Sequence, residues 1–239
     1  MNKPPTVSDT KKAFYQGYAQ PINSIFRAVF DEILVETHLV TVAENFAYDG
    51  FFGLGLKTAY DTMMEGYQPV DQKVLIFPAL IQALRLDQNQ IQQDSQNLID
   101  VITQVPGQEI LEVLSGTRQP VEGPLMLVHR ICAGLIDNQD FKYSRFFAIG
   151  LMMVFEGAAS KVYTKAEERK AKLAAICERL KLNPERVAVD METYTKAVEL
   201  IRQSKSVLDE VAKVDREKRA AREAEKQNQT KATPAESAS

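Results

Sequence analysis

Apolar residues recur along this chain at helical intervals and almost nowhere in strict alternation. Ile22, Ile25, Phe26, Val29, Phe30, Ile33 and Leu34 fall on the i, i+3, i+4, i+7 rule that places side chains on one face of a helix. The same spacing continues to about residue 160, and no stretch sustains a period of two. The sequence therefore predicts an all-α protein: a compact multi-helix body followed by a long charged C-terminal helix with a partial heptad pattern.

Local punctuation divides that pattern into elements. Ser8 is expected to cap a short first helix, and Asn23 or Ser24 to start the second, just after Pro21. Asp49 is the predicted N-cap of a helix over 50–65, and Gly66 its left-handed stop. Gly53 and Gly55 inside that helix weaken it by about 1 kcal/mol each relative to Ala, and suit a close helix crossing. Asp71 is read as opening a helix to residue 84, kinked or restarted at Pro78. Asp87 opens another, to about residue 103. A short helix over 108–114 follows Pro106-Gly107, and 117–124 is a proline-containing loop. Two core helices are expected over 125–136 and 141–157.

Composition shifts after Gly157. A charged amphipathic helix is expected over 165–181, and Asn183-Pro184 is a cap followed by a first-turn proline. Val187, Met191, Tyr194, Val198, Ile201, Leu208 and Ala212 then form a heptad-like stripe, broken where Lys205 occupies an apolar position. Past Val214 the only apolar residues are alanines. The expected organisation is a helical body over 1–160, a charged helical extension over 161–226 and a disordered tail over 227–239.

Bulk numbers narrow the function classes. With 239 residues and 45% hydrophobic content, the chain can bury one sizeable core. A net charge of −3 gives no general attraction to nucleic acid. The longest apolar run, 146–155, is about half of what a bilayer span requires. The opening MNKPPTVSDTKK lacks an apolar leader segment. Cys132 and Cys177 fit neither a disulfide framework nor a zinc pattern, and read as buried free thiols.

One helix does suggest a site. Glu32, Glu36 and His38 combine two carboxylates one turn apart with an imidazole, as a metal-binding bundle would. A di-iron carboxylate bundle, however, takes a Glu-x-x-His from each of two helices. The two histidines, His38 and His129, are preceded at that spacing by Val35 and Met126. Glu36 and His38 also diverge by about 200° around a helix. No metal is expected. His38 is read as meeting helix-end carbonyls or lying at the surface, and His129 as a hydrogen-bonded residue at a core edge. No nucleophile elbow or Walker sequence occurs, so no catalytic or cofactor-binding residue is named.

Longer words carry more. SDTKKAFYQGYAQPINSIFRAVFDEILVETHLV (8–40), FAYDGFFGLGL (46–56), MEGYQP (64–69) and YSRFFAIGL (143–151) resemble the Thylakoid formation protein family, photosystem II biogenesis factors of cyanobacteria and plastids. The resemblance covers most of 6–160 and extends more loosely through the charged helix. Ala19-Gln20 and Pro78 depart from the family's common pattern. Plastid members carry a transit peptide; this chain starts at the domain, as a cyanobacterial form would.

The resemblance implies a non-enzymatic accessory factor without cofactors. It would sit peripherally on the cytoplasmic side of the thylakoid membrane and support FtsH-type membrane proteases in photosystem II repair. Photosystem II assembly or repair intermediates are further implied partners. Tyr48, Asp49, Tyr143 and Arg145 lie within the family's words and are the candidate partner-binding residues; the competing reading is that they cap and brace helices. An alternative function is a helical carrier of a small molecule (pigment or lipid), or an enzyme, with an interhelical pocket beside Gly53 and Gly55.

Overall fold

Two helices buried on nearly every side hold the protein together. In the computed structural model, which describes residues 4–204 and 206, α3 (Gly50–Met63) and α8 (Arg145–Ala159) make the most extensive helix–helix contact. Their apolar residues run around the whole helix, as expected of helices with no solvent face. The pair separates two apolar clusters. Phe51, Leu54, Phe147, Leu151 and Phe155 face one. Phe52, Leu56, Phe146 and Ile149 face the other.

Glycines set how closely the pair approaches. A Cβ on Gly55 would overlap the carbonyl oxygen of Phe146, and a Cβ on Gly150 would overlap that of Phe51. The crossing expected of Gly55 is therefore present, with Gly150 as its counterpart. Gly53 serves another purpose: its missing side chain makes room for the Tyr48 hydroxyl.

The second cluster is closed by α1 (Val7–Gly17), α2 (Ser24–Thr41) and α4 (Val70–Ala83). Thr6, rather than Ser8, caps α1, in a reciprocal capping box with Asp9. Asn23 caps α2. Three tyrosine hydroxyls pin the approach to α4: Tyr67 accepts from the Asn23 amide at 3.2 Å, Tyr60 donates to the Lys73 carbonyl at 3.2 Å, and Tyr18 reaches Gln72 at 3.4 Å. The Gln68–Pro69 peptide is cis. Pro69 takes the N-cap position, so α4 starts at Val70, one residue ahead of the start expected at Asp71. Helix α4 continues through Pro78, whose missing N–H leaves the Val74 carbonyl without its usual donor. That turn is solvent-facing, with Val70, Val74 and Leu75 exposed.

The first cluster is closed by α5 (Gln88–Gln104), α6 (Gly107–Ser115), α7 (Leu125–Asp137) and α9 (Ala166–Arg179). Helix α8 begins at Arg145, later than the 141 expected, because Ser144 is its N-cap and bonds the Phe147 amide. Helices α4 and α9 end alike, in Leu84-Arg85-Leu86-Asp87 and Leu180-Lys181-Leu182-Asn183. Arg85 and Lys181 adopt φ of 59° and 57°. In each turn a basic residue takes the left-handed position, and the acid or amide that follows caps the next helix.

The first compact unit extends through Thr195, beyond residue 160. The charged surface of α9 hides an inward edge: Ile176, Cys177 and Leu180 join the first cluster, as does Val187 of the next helix, over 184–195. Met191 and Tyr194 of that helix pack on the second cluster. Residues 196–204 and 206, in the second unit, are helical. The expected charged helix beyond 206 and the tail over 227–239 lie outside the described residues.

Candidate functional site

The four candidate residues fall into two groups rather than one. Tyr48 and Asp49 stand at the start of α3. Asp49 accepts a hydrogen bond from the Phe52 amide at 2.9 Å, so it is the helix cap that its position predicts. Burial nevertheless pushes its carboxyl up to about 6; the amides of Phe52 and Phe51 oppose that rise, and the nearby Asp94 adds to it. Tyr48 donates from its hydroxyl to Asp94 Oδ2 on α5 at 3.0 Å, and its ring meets Phe52 edge-on. Burial and that carboxylate raise the phenol well above its ordinary value.

A cavity of about 450 Å³ opens beside these residues, between the start of α3, α5 and α7. It does not sit at the Gly53–Gly55 crossing, which is filled by Tyr48 and by the backbone of α8. Asp49 and Asp94 form one side of it.

Tyr143 and Arg145 belong to a charged network at the start of α8. The Arg145 guanidinium lies 3.6 Å from Glu32, 3.3 Å from Glu36 and 3.9 Å from Asp190. Tyr143 donates to Asp190 at 2.8 Å, and Arg186 sits 4.5 Å above the Tyr143 ring. Burial raises the Glu36 carboxyl; Arg145 partly offsets this. The two carboxylates spaced one turn apart on α2 thus meet an arginine. This network ties α2, α8 and the 184–195 helix together.

His38 is buried rather than superficial. Its Nδ1 lies 2.9 Å from Thr10 Oγ1, and burial lowers its pKa. The α2 periodicity shows why: His38 follows Leu34 at i+4 on the inward face. His129 is half-buried on α7. Among the described residues, no cluster of three or more His, Cys, Asp or Glu side chains is placed to hold a metal ion. Cys132 and Cys177 are both buried and free.

Asp94, Arg186 and Asp190 complete the two groups, and sequence reasoning did not single them out. Each pairs with a residue more than forty positions away, so no local spacing announces them. Only Glu32 and Glu36 carried a signal, through their i, i+4 spacing.

The fold and these groups define a class: an all-helical protein whose polar residues are engaged with one another across helices, beside an amphipathic cavity. The family model described as Thylakoid formation protein matches residues 6–223. The chain belongs to the Thylakoid formation protein family. It is 40% identical over 219 residues to Protein Thf1 of Gloeobacter violaceus, covering 92% of this chain and 96% of that one. It is 36% identical to Protein Thf1 of Synechococcus elongatus, covering 92% and 86%. A solved structure of Psb29 superposes with a TM-score of 0.76 at 35% identity, covering 91% of this chain and all of that one. No helix among the described residues is long and apolar enough to cross a membrane.

Proposed function

We propose that this protein is a non-enzymatic accessory factor of photosystem II biogenesis and repair. It acts from the cytoplasmic face of the thylakoid membrane, binding FtsH-type membrane proteases and supporting their accumulation. Family membership over nearly the whole chain is the observation that carries this reading. The polar groups fit it, since they brace helices against one another.

Binding by such a body would draw its energy from a few anchors, with charges setting orientation and rate. Arg145, with 42% of its side chain exposed, is a candidate contact, and Tyr143, which shares Asp190 with it, a support. Tyr48 and Asp49 would act by holding the start of α3 in shape.

The test is capture of the tagged full-length protein from cyanobacterial thylakoid membranes. FtsH-type subunits should co-purify, and their abundance should fall in cells lacking the protein. Repeated capture without these subunits, with their abundance unchanged in the deletion, would refute the reading.

A further inference from the structure

A smaller cavity, of about 210 Å³, lies at the C-terminal end of α2. It is bounded by the chain entering α1, the last turn of α2, Phe46 and the turn from α4 to α5. Its walls are largely apolar, with Pro5, Val42, Phe46, Leu84 and Leu86 among them, and no carboxylate lines it. Two nitrogen-bearing side chains do, His38 and Arg85.

His38 is 3% exposed and still reaches the cavity. Its Nδ1 is taken by Thr10 Oγ1, at 2.9 Å. Thr10 is itself 3% exposed, and its hydroxyl makes no other hydrogen bond among the described residues. A buried hydroxyl proton left unpaired is costly, so the Thr10 hydroxyl donates to Nδ1 and the ring proton sits on Nε2. Nε2 has no acceptor among the described residues. The polar side-chain atoms sealed without a partner are Ser95 Oγ and Arg169 Nε; Nε2 is open instead, through the cavity that His38 lines. Asp9 acts on the imidazole electrostatically, but it is held in the α1 cap and does not line the cavity.

Arg85 is the independent second observation. It occupies a left-handed position, where glycine or asparagine is the usual choice. Lys181 takes the equivalent place after α9 and donates to the Ile136 carbonyl. Arg85 is exposed and has no ion pair or side-chain hydrogen bond among the described residues. The cavity thus presents two unsatisfied donors, one of them a fixed positive charge, beside apolar walls.

We propose that this cavity binds a carboxylate on a short apolar stem. The carboxylate accepts from His38 Nε2 and from the Arg85 guanidinium, and the stem lies against Phe46, Leu84 and Leu86. A charge-assisted pair with arginine and a buried imidazole donor suits that head group. The volume is roughly seven times the share of one water, so the ligand is small. The same chemistry occurs in a free short-chain acid and in the carboxyl terminus of a polypeptide ending in an apolar residue. The inference is independent of protease binding, because it is read on the purified protein alone.

Long-range proton–nitrogen correlation spectroscopy on the full-length chain tests it, since His38 and His129 are the two histidines. The resting spectrum should show His38 as the Nε2–H tautomer. The probes are hexanoate, acetyl-leucine and the neutral control hexanamide. At least one acid should shift the His38 Nε2 signal saturably, with a Kd below about 5 mM, and leave His129 unmoved. Tighter binding of hexanoate identifies a free acid as the source; tighter binding of acetyl-leucine identifies a polypeptide terminus. Hexanamide should bind more weakly than the preferred acid by about fivefold or more.

Arg85→Asn suits the left-handed position, so it should keep the fold and its Tm while weakening the preferred acid by about fivefold or more. Arg85→Lys should retain most of the affinity. Failure of both acids to saturate below about 5 mM would overturn the proposal. So would a resting Nδ1–H tautomer at His38, a His38 signal unmoved by a bound acid, hexanamide binding equal to the preferred acid, or unchanged affinity in Arg85→Asn.

Discussion

Gly55 and Gly150 face each other's helices reciprocally, each occupying the spot where a Cβ would strike a carbonyl oxygen of the other helix of the pair. Neither position can accept even a methyl group unless α3 and α8 separate along most of their length. Gly55→Ala and Gly150→Ala should each destabilise the protein by about 3 kcal/mol, despite the better helix propensity of alanine. The double substitution should cost less than the sum, because one separation relieves both clashes. Urea unfolding of the three variants measures this directly.

Asp49 makes stability depend on pH in a direction opposite to a salt-bridged acid. Its carboxyl rises from 3.8 to about 6 on folding, so between these values the folded state binds more protons than the unfolded one. Its contribution is then greatest below pH 4 and declines as pH rises towards 6. Asn is as good an N-cap as Asp and does not titrate. Asp49→Asn should remove this decline while retaining α3, so the stability difference between variant and wild type should widen in the variant's favour from pH 4 to pH 6.5. Chemical denaturation at several pH values provides the comparison.

Asp190 joins the 184–195 helix to the body through Tyr143 and Arg145. Asp190→Ala removes a hydrogen bond to a charged acceptor, worth about 1.5–3 kcal/mol when well buried and less at this half-buried site. It also leaves Arg145 with two carboxylates in place of three. Amide hydrogen exchange should accelerate across 184–195 and remain slow in α3 and α8. Uniform acceleration everywhere would show that the helix does not open separately.

Cys132 and Cys177 should be inert in the native protein. Burial pushes the Cys132 thiol up to about 12 even with Arg179 alongside, and the Cys177 thiol up to about 11. The reactive thiolate is therefore scarce at neutral pH, and both sulfurs are shielded. Ellman's reagent at pH 8 should find no fast-reacting thiol in the folded chain and two after denaturation.

Elements announced by local chemistry were legible in the sequence. Asp49, Asp87 and Asn183 cap the helices expected of them, and Gly66 takes a positive φ just past the end of α3. These signals depend on a few adjacent residues. Thr6 displaced Ser8 because the acid three positions after Thr6, Asp9, closes a reciprocal box. Contacts between distant segments were less legible. Gly55 advertised a close crossing without naming Gly150, and Glu32 and Glu36 advertised a shared target without naming Arg145. The composition shift near residue 160 concealed the continuing core, because α9 and the helix after it show mostly charged residues and bury only a narrow edge. The cavity depends on three separated segments and on an empty volume, which no spacing records.

The 184–195 helix inserts Val187 into one apolar cluster and rests Met191 and Tyr194 on the other. It therefore works as a shared stopper rather than an appendage. A fragment ending near residue 160 would uncork both cores at once, leaving sticky walls that invite aggregation. Dissection of this protein into pieces is sound only when the cut falls after residue 195.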